Sequence, residues 1–133
     1  MITIRLAIIL FLACAPVAAR ADAIGTLLKD YESQGASRFS AQDAEAFWTK
    51  GNLDPKTGET RRCTTCHTED LRRNGKHATT GKAIEPLAPS VNPKRLTDVE
   101  HIEKWFGRNC KWTLNRDCTP QEKGNVLVML RTK

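Results

Sequence analysis

Two cysteines and a histidine form the most chemically informative cluster of the sequence. Cys63 and Cys66 are separated by two threonines, and His67 follows directly, in the segment CTTCH. At this spacing both thiols can add to the vinyl groups of one haem, while the adjacent imidazole reaches the iron. A thioredoxin-like site would need a βαβ context, a zinc site would need a fourth ligand at a suitable spacing, and a simple disulfide leaves His67 unexplained. The motif therefore predicts one covalent haem c.

The first residues indicate export from the cytoplasm. Arg5 precedes an apolar run over residues 6–19, and small residues lead up to Ala21. The run is shorter than the roughly 20 residues that cross a bilayer, so it indicates a signal peptide and not a membrane span. We expect residues 1–21 to be cleaved, Cys14 to be lost with them, and residues 22–133 to form a single domain in the periplasm.

A second cysteine pair lies in the segment FGRNCKWTLNRDC, at Cys110 and Cys118. The oxidising compartment favours a disulfide between them. Closing a loop this short contributes about 2.6 kcal/mol by the chain-entropy relation. The closed loop would also restrain the backbone of Asn109, which directly precedes Cys110.

The second axial position of the iron decides between electron transfer at a closed site and small-molecule binding at an open one. Met129 is the only methionine of residues 22–133, but it lies on the apolar face of a predicted terminal helix, which favours core packing. His77 lies in a polar loop, where a solvated side chain is expected. His101 lies about 110° from the centre of the apolar face of its helix, which favours a partly exposed position.

Asn109 shares a predicted helix face with three apolar residues: Val99, Ile102 and Phe106. An unpaired amide facing the core would cost about 1–3 kcal/mol, so Asn109 needs a partner. Three partners stay open on this pattern. The side chain could cap a helix that Gly107 weakens, bind a haem propionate, or ligate the iron.

Basic residues concentrate beside the haem motif. The formal net charge is +6 at pH 7, and residues 56–82 carry seven cationic and three anionic side chains. Such a segment could steer an acidic partner, although a solvated basic loop is the alternative. The candidate docking residues are Arg61, Arg62, Arg72 and Arg73. An exported chain without a nucleic-acid-binding motif argues against a nucleic-acid partner.

Two helices are predicted before the haem motif. Asp22 is a candidate cap for a first helix that ends at Gly35, and Ser40 for a second that ends at Gly51. No segment alternates over enough residues to indicate a strand. The predicted class is therefore all-α.

Two further helices are predicted after the motif, beginning with capping boxes at Thr97 and Thr119. The last helix should pack on the N-terminal helix.

Between the haem motif and the helix that begins at Thr97, residues 69–93 are predicted to lack regular structure and to wrap one haem face. The apolar contacts expected from this loop are Ile84, Leu87 and Val91.

Five segments together resemble one family: CTTCH, TGKAIEPLAPS, RLTD, EKWFGRNC and RDCTPQEK. They resemble the sphaeroides haem protein family of monohaem cytochromes c, which is related to cytochrome c'' of methylotrophic bacteria. The likeness covers most of the chain from Ile24 to the C-terminus. It implies a class I-like cytochrome c fold with one covalently bound haem.

The resemblance also implies roles for the site residues. His67 is the implied proximal iron ligand, Asn109 the distal ligand, and Cys110 the partner of Cys118. Cytochrome c'' has a histidine at the distal position, so Asn109 allies this chain with the asparagine branch. The implied behaviour is that Asn109 leaves the iron on reduction or when a diatomic gas binds, which gives a high-spin haem open to oxygen or nitric oxide.

The implied electron donor is a dihaem cytochrome c, and we expect a monomer or a weak dimer. The predicted function is one-electron transfer with diatomic ligand binding, by a carrier and not an enzyme. Two alternatives stay open: a haem enzyme that reduces oxygen, peroxide or nitric oxide, and a sensor or scavenger that binds the gas without turnover. No distal acid–base pair is obvious, although His77 or His101 could approach the haem in the folded chain.

Overall fold

Residues 22–133 are described by a computed structural model, in which they form five helices and two pairs of very short strands. The predicted signal peptide, residues 1–21, lies outside the described residues. The helices are α1 (Ala23–Ser33), α2 (Ala41–Thr49), α3 (Thr64–His67), α4 (Val99–Leu114) and α5 (Pro120–Arg131). The strands are β1 (Asn52–Leu53), β2 (Thr60–Arg61), β3 (Gly75–Lys76) and β4 (Ala83–Ile84). Within this range, none of the helices combines the length and apolar character that a membrane crossing requires.

Three of the four predicted caps occupy the predicted position. Ser40 Oγ accepts a hydrogen bond from the Asp43 amide at 3.1 Å. At the start of α5, Thr119 Oγ1 accepts from the Glu122 amide at 3.2 Å, and the Glu122 carboxylate accepts from the Thr119 amide at 2.8 Å. Asp22 is the N-cap residue of α1, without a side-chain capping bond. Local chemistry therefore sets where these helices begin.

The predicted capping box at Thr97 is wrong by one residue. The N-cap of α4 is Asp98, whose Oδ1 accepts from the His101 amide at 2.6 Å. The Thr97 hydroxyl instead donates to the Lys94 carbonyl at 2.9 Å. Aspartate is at least as good an N-cap as threonine, so the Asp98 carboxylate, one position later, accepts the hydrogen bond from the first-turn amide.

The terminal helices pack together as predicted, because α5 contacts α1 and also α2, while α4 contacts α1. Their shared core consists mainly of Ile24, Leu27, Tyr31, Ile102 and Leu127. Met129 is 1% exposed and packs with Trp48 in a second cluster, which confirms its role in the core. A Cβ atom at Gly124 would overlap the Phe39 ring, so this glycine lets the chain before α2 lie against α5.

The prediction that residues 69–93 lack regular structure is wrong in one detail. The strands β3 and β4 pair antiparallel, with Gly75 opposite Ile84 and Lys76 opposite Ala83. The strands β1 and β2 also form an antiparallel pair. Strands of two residues are too short to produce the alternation by which a strand is recognised in a sequence. The all-α class is confirmed, since the helices supply most of both core clusters.

Candidate haem site

The segment from Cys63 to His67 folds into a single helical turn. The His67 amide donates to the Cys63 carbonyl at 3.1 Å, and Thr68, with φ of 63°, ends the turn. Because residues three apart share a helix face, Cys63 and Cys66 lie on the same side. Both are free thiols and half-buried. Burial raises the pKa of the Cys63 thiol to about 11, so the thiol is neutral at neutral pH.

His67 lies against an aromatic side chain. Its ring centroid is 5.7 Å from that of Trp48, whose Nε1 donates to the Thr68 carbonyl at 3.3 Å. Burial, and to a smaller extent the positive charge of Arg95, lower the pKa of His67 to about 4. The imidazole is therefore neutral at pH 7, which is the form that binds a metal. Within residues 22–133, its buried Nδ1 has no hydrogen-bond partner.

Gly75 allows β3 to lie directly against the haem motif. A Cβ atom at this position would overlap the Cys66 carbonyl oxygen and crowd the backbone of His67. No other residue fits without a shift of the backbone. The sequence signal for this contact is the Asn74-Gly75 pair, which marks a turn but does not reveal what the glycine approaches.

Asn109 does not face the core, so that part of the helical projection is wrong. The buried residues of α4 are Ile102, Cys110 and Thr113, whereas Asn109 is exposed. At 3.6 residues per turn, the buried side of α4 is centred about 50° from Asn109. Trp105, one turn before Asn109, is likewise turned outward, since its side chain is 40% exposed.

The capping alternative for Asn109 is also wrong. The helix α4 continues past it to Leu114, and the C-cap is Asn115, which adopts the left-handed conformation with φ of 57°. Among the side chains of α4, Glu103 alone forms hydrogen bonds within residues 22–133. The side-chain amide of Asn109 forms none within this range. Its donor and acceptor groups are therefore available to a group outside the described chain.

Cys110 and Cys118 are joined by a disulfide, in agreement with the prediction. The S–S distance is 1.96 Å, the Cα atoms are 5.5 Å apart, and both residues are buried. The bond connects α4 to the residue that precedes the cap of α5. Inside the loop, Arg116 donates to the Glu122 carboxylate at 2.7 Å. The backbone next to Asn109 is thus attached to the chain just before α5, while the Asn109 side chain forms no hydrogen bond within residues 22–133.

Arg61 attaches the strand before the haem motif to α4. It forms an ion pair with Asp54 and donates to the Trp112 carbonyl at 3.1 Å. Its guanidinium carbon also lies 4.7 Å from the centroid of the Trp112 ring. The Arg61 side chain is only 15% exposed, so its assignment to a docking surface is wrong. Trp112 is distant in sequence, and no local pattern could reveal this partner.

The two other histidines lie where the sequence predicts. His77 is exposed, and its Nδ1 accepts from the amides of Thr79 and Thr80, each at 3.2 Å. His101 is exposed on α4, with its ring centroid 6.1 Å from that of Trp105. His77 is therefore occupied in closing a turn.

Three large apolar side chains of the described range are left exposed: Leu53 at 66%, Val91 at 52% and Trp105 at 40%. Leu53 belongs to β1, which contacts α4, and Trp105 lies one turn before Asn109. Of the apolar contacts expected from the loop, Val91 is thus exposed, whereas Ile84 and Leu87 are half-buried. A large apolar group would remove such surface from water. The thiol pair on one helical turn and the neutral buried imidazole beside it fit a covalent haem.

A helical fold with these groups on one turn defines a class of protein, the c-type cytochromes. Residues 34–130 match a family described as a domain of unknown function, DUF1924. Over 107 residues the chain is 43% identical to cytochrome c-type protein SHP of Cereibacter sphaeroides, covering 78% of this chain and 79% of that protein. The chain therefore belongs to the DUF1924 family and is a c-type cytochrome of the SHP type, with haem c as its cofactor.

Solved structures agree with this assignment. The fold is similar to that of oxidised SHP, described as an oxygen-binding cytochrome c, with a TM-score of 0.71, 40% identity, and coverage of 83% of this chain and 96% of that one. It is also similar to oxidised cytochrome c'' of Methylophilus methylotrophus, with a TM-score of 0.72, 34% identity, and coverage of 84% and 94%. The resemblance and the cytochrome c fold expected from the sequence are confirmed.

Proposed function

We propose that this cytochrome works in the periplasm after removal of residues 1–21, transferring single electrons and binding a diatomic gas. Cys63 and Cys66 attach the haem, His67 is the proximal ligand, and Asn109 is a labile distal ligand. The haem iron supplies the one-electron redox change and the coordination position for the gas. The oxygen binding described for the related SHP supports the gas ligand, and the disulfide supports an oxidising compartment.

The observation that carries the proposal is the state of Asn109. Its side-chain amide is exposed and forms no hydrogen bond within residues 22–133, and the next residue, Cys110, is bonded to Cys118 just before the cap of α5. A neutral carboxamide is a weaker ligand than an imidazole, and its hard oxygen suits ferric iron better than ferrous iron. Asn109 is therefore expected to dissociate on reduction. The disulfide keeps Asn109 close enough to the iron to bind again on oxidation, as a reversible ligand requires.

Asn109→Ala tests this role. In the ferric protein the optical and EPR spectra should differ from those of the wild type, and in the ferrous protein they should coincide. Nitric oxide should bind the ferric variant about tenfold or more tightly, because no protein ligand competes for the iron. Asn115→Gly is the matched control, since it removes an exposed amide from the same helix while tolerating the left-handed conformation. Unchanged ferric spectra in Asn109→Ala would exclude Asn109 from the iron.

The proposed electron donor is a dihaem cytochrome c with an acidic docking face. Four cations next to the haem motif are exposed and lie beyond ion-pair distance of every carboxylate in residues 22–133: Arg62, Arg73, Lys76 and Lys82. Lys76 follows Gly75, so β3 places this cation beside α3. Arg72 is excluded from this group because it pairs with Asp70 at 3.0 Å.

Charge reversal tests this docking surface. Lys76→Glu and Lys82→Glu should slow reduction by the donor and flatten its dependence on ionic strength, because steering by exposed charges is screened by salt. Lys29→Glu, on α1, is the control and should leave both quantities near their wild-type values. If all three variants retain the wild-type salt dependence, the donor docks elsewhere.

A further inference from the structure

A cleft lies between the loop that follows β4 and the first turn of α4. Its volume is about 480 Å³, and its lining includes Glu85, Lys94, Arg95 and Asp98. None of the proposed iron ligands and neither haem cysteine lines it. The cleft therefore has no role yet in the function proposed above.

Arg95 is held in one orientation within this cleft. Its Nε donates to the Pro86 carbonyl and its Nη2 to the Glu85 carbonyl, each at 3.0 Å. The Pro86 carbonyl also accepts from Asn92 Nδ2 at 3.3 Å. Within residues 22–133, the Nη1 group of Arg95 forms no hydrogen bond. A guanidinium that is already ordered loses little further conformational entropy when it binds an anion.

The loop that orients Arg95 is attached to the haem motif. The amides of Leu87 and Ala88, which follow Pro86, both donate to the Leu71 carbonyl at 3.0 Å. Leu71 is only four residues beyond His67. These backbone hydrogen bonds attach the loop that orients Arg95 to the chain just beyond the haem motif.

The cations of the cleft lack an anionic partner. Lys94 and Arg95 lie beyond ion-pair distance of every carboxylate in residues 22–133. The two acids of the lining are otherwise engaged, since Glu85 accepts from Asn92 at 3.3 Å and Asp98 caps α4. An ordered guanidinium with a free N–H group and no carboxylate within ion-pair distance in residues 22–133 can bind a carboxylate that the chain itself does not supply.

We propose that Arg95 binds a propionate of haem c, with Lys94 as the second cation of the same site. The two cysteines attach the cofactor by its vinyl groups, so its propionates are the anionic groups left to be recognised elsewhere. A guanidinium can donate two parallel hydrogen bonds to one carboxylate, and it stays charged at every physiological pH. This inference rests on the haem and not on iron ligation by Asn109, so either can fail without the other.

Arg95→Gln tests the proposal. Loss of the guanidinium should raise the pKa of the bound propionate by about one unit or more, because a neighbouring arginine normally holds a carboxyl pKa down. The midpoint potential should then vary with pH in a higher pH range than in the wild type. The propionate-bending band in the resonance Raman spectrum should also shift. Lys29→Gln removes one exposed cation from α1 and should change neither measurement.

A role confined to holding the loop predicts a different result. Arg95→Gln would then lower the thermal stability but leave the propionate band and the pH dependence of the potential as in the wild type, and that result overturns the proposal. If Arg95→Gln takes up no haem, Arg95→Lys and Lys94→Gln serve instead. Arg95→Lys keeps the positive charge but cannot donate two parallel hydrogen bonds to one carboxylate. Lys94→Gln removes an exposed cation that forms no ion pair within residues 22–133. A wild-type propionate band in both variants would also overturn the proposal.

Discussion

Removal of the disulfide by Cys110→Ala and Cys118→Ala should lower stability and loosen the distal site together. The bond closes a loop with a sequence separation of 8, for which the chain-entropy relation gives about 2.6 kcal/mol. For a domain of this size, that loss lowers the unfolding midpoint by about 10 °C. Alanine is the appropriate replacement because both positions are buried, and a serine hydroxyl would add an unpaired polar group.

The effect on the site should exceed the effect of lost stability alone. Without the disulfide, the backbone after Asn109 is no longer attached to the residue before the cap of α5. The proposed ligation of ferric iron by the Asn109 side chain should then weaken, and nitric oxide should bind the ferric protein faster. Leu130→Ala is the matched control, since it removes a buried side chain at the other end of α5 at a cost of about 2–5 kcal/mol. It should lower the unfolding midpoint without changing nitric oxide binding.

Differential scanning calorimetry and stopped-flow nitric oxide binding separate the two claims. If the double variant melts earlier but binds nitric oxide to the ferric protein at the wild-type rate, the disulfide is structural only. If its unfolding midpoint matches the wild type, the loop-closure argument does not apply to this chain.

Two further predictions concern the support of the haem motif and the cap of α5. Gly75→Ala should lower the haem content per chain, measured by pyridine haemochrome, because the new Cβ would overlap the Cys66 carbonyl. Gly107→Ala, within α4, is the control: its new Cβ meets no atom within 4 Å, and it should stabilise the protein by about 0.5–1 kcal/mol. Full haem content in Gly75→Ala would show that β3 can move away from α3. The Glu122 pKa is lowered chiefly by hydrogen bonds from Arg116. This carboxylate therefore stabilises the fold above its ordinary pKa of 4.5, and the contribution is lost as the pH falls through the lowered pKa. Glu122→Gln should lower the melting temperature at neutral pH, and below pH 4.5 the melting temperature of the variant should fall less steeply than that of the wild type. If the melting temperatures of the two proteins fall in parallel with pH, the prediction is wrong.

The features that the sequence predicts correctly depend on neighbours in the chain. The CTTCH turn and the capping box of Thr119 bring their chemical partners within four residues, so spacing alone identifies them. The start of α4 is predicted one residue too early even at this range, because Thr97 and Asp98 are adjacent and both residue types are good N-caps. Adjacent candidate caps are separated only by geometry.

The features that the sequence misses depend on distant partners. Charge counting placed Arg61 in a surface patch, whereas its ion pair with Asp54 and its contacts with Trp112 turn it inward. Helical projection groups Asn109 with Val99, Ile102 and Phe106 and so turns its side chain toward the interior. Asn109 is exposed in the folded chain, and only the packing of that chain shows which side of α4 is buried.

The helix α4 is anchored on both sides of the proposed distal ligand. On the N-terminal side, the Glu103 carboxylate accepts hydrogen bonds from Tyr31 of α1 and, at 2.6 Å, from Lys123 of α5. On the C-terminal side, the disulfide holds Cys110, and the guanidinium from β2 holds Trp112. A displacement of the helix backbone would have to break several of these contacts at once.

The Asn109 side chain, in contrast, forms no hydrogen bond within residues 22–133 that must break when it moves. Rotation of this side chain on a stationary helix is therefore the less costly way to open the iron. Amide hydrogen exchange over residues 99–114 should then be alike in the ferric and ferrous proteins. In the disulfide-free variant, exchange after Asn109 should become faster in both states. Faster exchange over α4 in only one redox state of the wild type would mean instead that the helix itself moves.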